Sequence, residues 1–299
     1  MARPTSSPQQ HQAGEPATID RSPGAPLPDR TNGPPPDQRP VVWVRPTSGK
    51  QGRFSLRSPT GRSALGIDDY LLDLWLSSEP ARVEVLARLE LSPRLTRLFA
   101  VALCGDVREL LTDDRSRMAV EVAERFADDG ATVRELRVAR RAASDAYFEL
   151  GATHGTARSS ASVLSCLAAN AARHAVDMHV KASTVATDVA ALAVDVAALA
   201  ATGRGEVDPV GERRIRERQG RLLAAIVGPG YELLPEWHTA DAVGLASTCY
   251  ETKDWSIMPV LADALQDAGC ENDDVLGHCR GPGPHVRGDW VLDSLLGLK

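Results

Sequence analysis

An all-α fold follows from three features of this 299-residue chain. From Ile67 onward apolar residues recur at three- and four-residue spacing, helix-capping residues punctuate the chain, and sustained strand alternation is nearly absent. The expectation is an irregular bundle of about ten helices with one long Ala-rich helix, preceded by a disordered arm.

The arm covers residues 1–66. Twelve of the 20 prolines fall within the first 59 residues, and runs such as Pro34-Pro35-Pro36 can form neither a helix nor a sheet ladder. Only Val41-Val42-Trp43-Val44 could make a short strand, clipped by Pro40 and Pro46. Nine basic residues against four acidic ones make the arm positive and leave the remainder strongly acidic. A disordered tail is expected, such as a start site set too far upstream would create. The functional alternative is a basic tether for an acidic or Pro-binding partner.

Residues 67–299 read as one helical domain in three parts, the first being 67–151. Two short helices, Asp68 to Leu76 and Ala81 to Leu89, join at Pro80. Ser92 and Pro93 form an N-cap and first-turn pair that opens a helix running to about Leu111. Thr112 or Asp113 caps the next, which Gly130 closes, and Thr132 with Glu135 makes a capping box for a third ending at Gly151.

The second part, 160–225, is expected to be a long helical hairpin. Val185, Val189, Leu192, Val196 and Leu199 are spaced 4, 3, 4, 3, and the same register runs back through Ala182, Met178, Ala175, Ala171, Ala168 and Leu164. No proline or glycine interrupts it, so one long helix, or two nearly collinear ones, is expected from about Ser160 to Ala201. Its return partner, capped by Asp208 and Pro209, carries Arg213, Arg214, Arg216, Arg218 and Arg221. Glu212 and Glu217 interleave with these and stacking aromatics are missing, which reads as a solvated face rather than an RNA surface. In the third part, 239–299, Thr239 to about Tyr250, Met258 to Ala268, Asn272 to about His278 and Gly288 to Leu296 are four shorter helices. Trp237, Trp255 and Trp290 supply apolar anchors that should draw the two ends of the domain together.

Composition excludes several function classes. A net charge of -6 argues against a dedicated nucleic-acid or anionic-membrane protein, and no apolar run is long enough to span a bilayer. Five scattered cysteines and no apolar leader point to a reduced, cytoplasmic chain. Gly49-Lys50-Gln51 is no P-loop, Gly61-Arg62-Ser63-Ala64-Leu65-Gly66 has the wrong spacing for a nucleophile elbow, and neither HExxH nor CxxC occurs. Cys279 is followed at the phosphatase-loop arginine position by His285. No catalytic residue and no cofactor are assigned.

The segment 277–290, Gly-His-Cys-Arg-Gly-Pro-Gly-Pro-His-Val-Arg-Gly-Asp-Trp, remains dense in unusual residues. His278, Cys279 and His285, with Cys270 or Asp289, could gather around zinc. Arg280 and Arg287 with the glycine-loop amides could instead hold an anion beside the last helix. The favoured reading is a tight helix-to-helix corner in which Arg287 and the histidines satisfy carbonyls or pair with Asp273, Asp274 or Asp293, and Asp289 complements the helix dipole.

Several stretches carry a resemblance. Leu95 to Cys104, Leu111 to Asp128, the run Met258-Pro-Val-Leu-Ala-Asp-Ala-Leu-Gln-Asp-Ala-Gly-Cys270, and the run His278-Cys-Arg-Gly-Pro-Gly-Pro-His-Val-Arg-Gly288 resemble a family of uncharacterised bacterial proteins that is rich in paralogues in large GC-rich genomes. The resemblance spans about Ile67 to Lys299 and implies no known activity, so it lends no site residue. Relatives carry Cys where this chain has Asp289 and Gly105, which counts against a metal site shared with the family. The function expected is a cytoplasmic helical binding or scaffolding protein without catalysis, whose partner is another protein rather than nucleic acid or membrane. The alternative is a ligand-binding protein or enzyme using an anion or zinc site at His278, Cys279, Arg280, His285 and Arg287.

Overall fold

The computed structural model describes residues 69–153, 160–181, 184–190, 209–230 and 232–298, all within the compact unit Arg53–Lys299. The arm expected over 1–66 lies outside the described residues. These hold eleven α-helices and no strand, and no helix among them is long and apolar enough to cross a membrane.

The caps read from the sequence open the helices. Helices α1 (Asp69–Ser77) and α2 (Glu79–Leu89) meet at Ser78, with Pro80 in the first turn of α2. Ser92 Oγ accepts from the Leu95 amide at 3.2 Å and starts α3 (Pro93–Gly105), and Asp113 starts α4 (Asp114–Ala127) by accepting from the Arg115 amide. The capping box closes both ways before α5 (Val133–Thr153): Thr132 donates its amide to Glu135 at 2.7 Å, and Glu135 returns its own to Thr132 Oγ1 at 3.2 Å. Helix α3 is shorter than expected. It stops at the helix-poor Gly105, a turn follows, and Arg108–Leu110 is a single 3-10 turn.

The long Ala-rich helix is interrupted. Helix α6 (Ser160–Ala175) ends at Ala175, 176–181 are not helical, and 184–190 are again in helical turns. Arg97 on α3 decides this end. It is nearly buried, donates to the Ala175 carbonyl at 2.8 Å and to that of Met178 at 3.5 Å, and so gives the last turn the donors that a continuing helix would have supplied. The Ala face behaves as the spacing predicts. Ala168, Ala171, Ala172 and Ala175 are buried, as are Val185 and Val189 further on. Residues 191–208, which include the rest of the repeat and Asp208, lie outside the described residues.

Helix α7 (Pro209–Val227) packs on α1 and α3. The last four helices are α8 (Ala240–Thr252), α9 (Met258–Asp267), α10 (Asp273–Arg280) and α11 (Trp290–Leu296). Two apolar cores result. The first, from α1–α7, is centred on Trp75, Phe99, Leu103, Leu136 and Leu222, and the second, from α8–α11, on Tyr250, Met258, Leu261, Cys279 and Leu292. The arginine run of α7 is largely tied to acids, Arg216 to Glu212, Arg213 to Glu217 and Arg218 to Asp106.

Candidate functional site

The corner between α10 and α11 joins the two cores. Asn272 Oδ1 caps α10 by accepting from the Asp274 and Val275 amides at 2.9 and 3.3 Å. Asp289 Oδ1 caps α11 by accepting from the Val291 amide at 3.1 Å. Between them Gly288 adopts φ +86°, and a Cβ there would meet Leu98 Cδ1 of α3 at 3.0 Å, so only glycine lets the loop lie this close to the first core.

With Oδ1 held by the backbone, Asp289 Oδ2 faces two imidazoles. His278 Nε2 lies 2.8 Å away and His285 Nδ1 3.0 Å. The rings stand perpendicular with centroids 5.0 Å apart, and His278 is backed by Trp290 at 5.5 Å. Asp289 has no exposed surface. Burial alone would push its carboxyl up, but the charge and hydrogen bonds of His278 and then His285 outweigh this and hold it below the usual carboxylate value.

Of the five residues singled out from the sequence, this cluster unites two, His278 and His285. Cys279 is fully buried in the second core, where burial pushes its thiol up, and Cys270 is buried there as well. Neighbouring helical residues project about 100° apart, so His278 and Cys279 cannot aim at one point. Arg280 turns outward to Asp263 and Gln266, each at 2.7 Å. Arg287 packs over the Tyr250 ring at 5.0 Å and reaches Asp128 at 3.4 Å. The two arginines therefore do not converge on an anion. The corner expected from the sequence is present with other partners: Asp289 serves the histidines, and Asp128 serves Arg287.

A network that the sequence reading missed lies beside this cluster. Arg94 donates through Nε to Asp128 at 2.8 Å, through both terminal nitrogens to Asp293 at 2.5 and 3.1 Å, and to the Tyr250 hydroxyl at 2.6 Å, while Tyr250 donates to Asp128 at 2.8 Å. These contacts tie α3 and α4 to α8 and α11; Trp237, Trp255 and Trp290 pack in or against the second core, and of the three Trp290 also lies against Gly228 at the end of α7. A local signal did exist. Arg94 stands in the first turn of α3 and Asp128 at the end of α4, each where the helix dipole disfavours its charge.

No protein-family model, curated protein or solved structure matches the chain.

A groove of about 710 Å³ opens between α3, α4, α7 and the corner. Its floor is apolar, with Leu98, Val101, Val120, Leu222, Trp255 and Val286. Its rim carries ion pairs: Arg218 with Asp106 at 2.7 Å, Arg108 with Glu121 at 3.3 Å, and Lys253 with Glu124 at 2.5 Å. His285 and Arg287 close one end.

Proposed function

We propose that this protein is a cytoplasmic binding module without catalysis that docks a partner protein through the groove. The observation carrying the reading is the pairing of an apolar floor with a charge-balanced rim, the arrangement of a protein interface with an apolar centre and a polar edge. A rim that alternates Arg108, Arg218 and Lys253 with Glu121, Asp106 and Glu124 suits a mixed-charge partner rather than a polyanion. The occupant that fits is one amphipathic helix, its apolar ridge on the floor and its own charges exchanged with the rim pairs.

Gly105 provides the test. It is exposed on the groove wall at the end of α3, and an added Cβ meets nothing within 4 Å, so Gly105→Trp fills the groove without disturbing the fold. Capture from the source cells with the full chain should recover one protein near equal stoichiometry, and Gly105→Trp should lose it. A partner retained by the variant, or none recovered by the folded wild type, would overturn the reading.

A further inference from the structure

We infer that His278, His285 and Asp289 are the protein ligands of a divalent transition-metal site in this chain, with zinc the ion best suited to it. The sequence offered zinc only as an alternative that included Cys279; the case is made by three donors meeting across the corner, Asp289 in place of the cysteine. His278 Nε2, His285 Nδ1 and Asp289 Oδ2 all lie within 4.8 Å of one another. Zinc bonds of about 2.0–2.1 Å set tetrahedral donor separations of about 3.3 Å. The two donor pairs now at 2.8 and 3.0 Å therefore need to open by only a few tenths of an ångström.

The donors are held in place before any ion arrives. Asp289 has its other oxygen fixed by the Val291 amide, so Oδ2 cannot rotate away without uncapping α11. His278 is packed between the His285 and Trp290 rings. His285 is nine-tenths buried, its Nε2 has no hydrogen-bond partner and its Nδ1 is bonded to Asp289 Oδ2, so an ion entering between them displaces the Nδ1 proton and takes the place of that hydrogen bond. Two imidazoles and one carboxylate form a borderline-soft, three-donor set that leaves a fourth position for water.

An ion also has a way in. His278 is the partly exposed member of the cluster, and it lines a second cleft of about 320 Å³ with Asp273, Asp274, Gly277 and Trp290. Two carboxylates at the mouth raise the local concentration of cations. His285 also lines the docking groove, but Gly105 does not border this cleft, so Gly105→Trp tests the groove and cobalt binding tests the metal site, each without the other.

The test is a titration of the metal-stripped full chain with cobalt(II), then with zinc. The expected result is a visible absorption band saturating at one cobalt per chain, bleached by zinc, and a melting temperature that rises with zinc by mass action. His278→Gln keeps an N–H donor where Nε2 now lies, and so preserves the hydrogen bond to Asp289 while removing the ligand. It should melt like the wild type in chelator and lose both the band and the zinc shift. No band in the wild type overturns the proposal, whatever the variant does. So does equal binding by His278→Gln, or a strong cobalt–thiolate transition, which would place the ion on the cysteines.

Discussion

Arg94 and Asp293 stand 199 residues apart in the chain and meet in a two-pronged ion pair, Nη1 to Oδ2 at 2.5 Å and Nη2 to Oδ1 at 3.1 Å. Both side chains are about one-tenth exposed, and the same guanidinium also serves Asp128. One cation thus compensates two buried acids at the seam between the two cores. Burial and the Asp293 and Asp128 charges act on Arg94 in opposite senses, and the acids prevail, raising its pKa.

Removing that cation should be among the most damaging single changes in the protein. Arg94→Met strands Asp293 and partly strands Asp128, which keeps the Tyr250 hydroxyl at 2.8 Å and Arg287 at 3.4 Å, for an expected loss of roughly 3–5 kcal/mol at neutral pH. Asp293→Asn in the Arg94→Met background should recover part of it, because one of the stranded charges is gone. Urea unfolding of the four proteins of this double-mutant cycle measures the coupling. Additive effects would show that the pair contributes nothing of its own.

Asp293 should also leave a signature in the pH dependence of stability. Burial pushes its carboxyl from the ordinary 3.8 up to about 6, with Arg94 pulling it down and Asp128 and Asp289 pushing it up. Tyr250 and Arg287 complete the charged and titratable groups around the seam. A raised pKa means the folded protein holds this proton more tightly than the unfolded chain does. The stability it contributes is therefore complete below about pH 4 and is lost as the pH rises through about 6, on the order of 2–3 kcal/mol in all. Asp293→Asn, neutral throughout, should gain on the wild type in urea midpoint across that window. A constant difference from pH 4 to pH 7 would contradict the assignment.

Two glycines should respond to alanine in opposite directions. Gly228 has φ +65°, and a Cβ there would lie 2.5 Å from Trp290 Cγ, so Gly228→Ala forces α7 and α11 apart. A loss of about 2–4 kcal/mol is expected from the backbone strain and the overpacking together. Gly244 is an exposed position inside α8 with nothing within 4 Å of an added Cβ, and Gly244→Ala should stabilise by about 0.5–1 kcal/mol. Thermal melts of the two variants suffice, and a neutral Gly228→Ala would mean that Trp290 can move aside.

Part of the site is legible in the sequence. The apolar spacing of α10 already placed Cys279 inward, since it follows Val275 by four residues and Leu276 by three, and all three are buried. That pattern separates Cys279 from His278 without a structure. Arg94 and Asp128 were visible as charges on the wrong ends of their helices, but their joining to each other and to Tyr250 was not.

The chain by itself determined where most helices begin. Ser92, Asp113, Thr132 with Glu135, Thr239 and Asn272 each close a hydrogen bond within three residues, so their information is local and survives without the rest of the fold. It also determined the buried Ala face of α6, which follows from periodicity alone. Tertiary structure decided where α6 stops, because the donor that ends it, Arg97, comes from 78 residues earlier in the chain. It likewise decided that His278 and His285 share Asp289 and that Arg94 binds the two cores together. Contacts between distant residues depend on how whole helices pack, and no spacing within one segment encodes that.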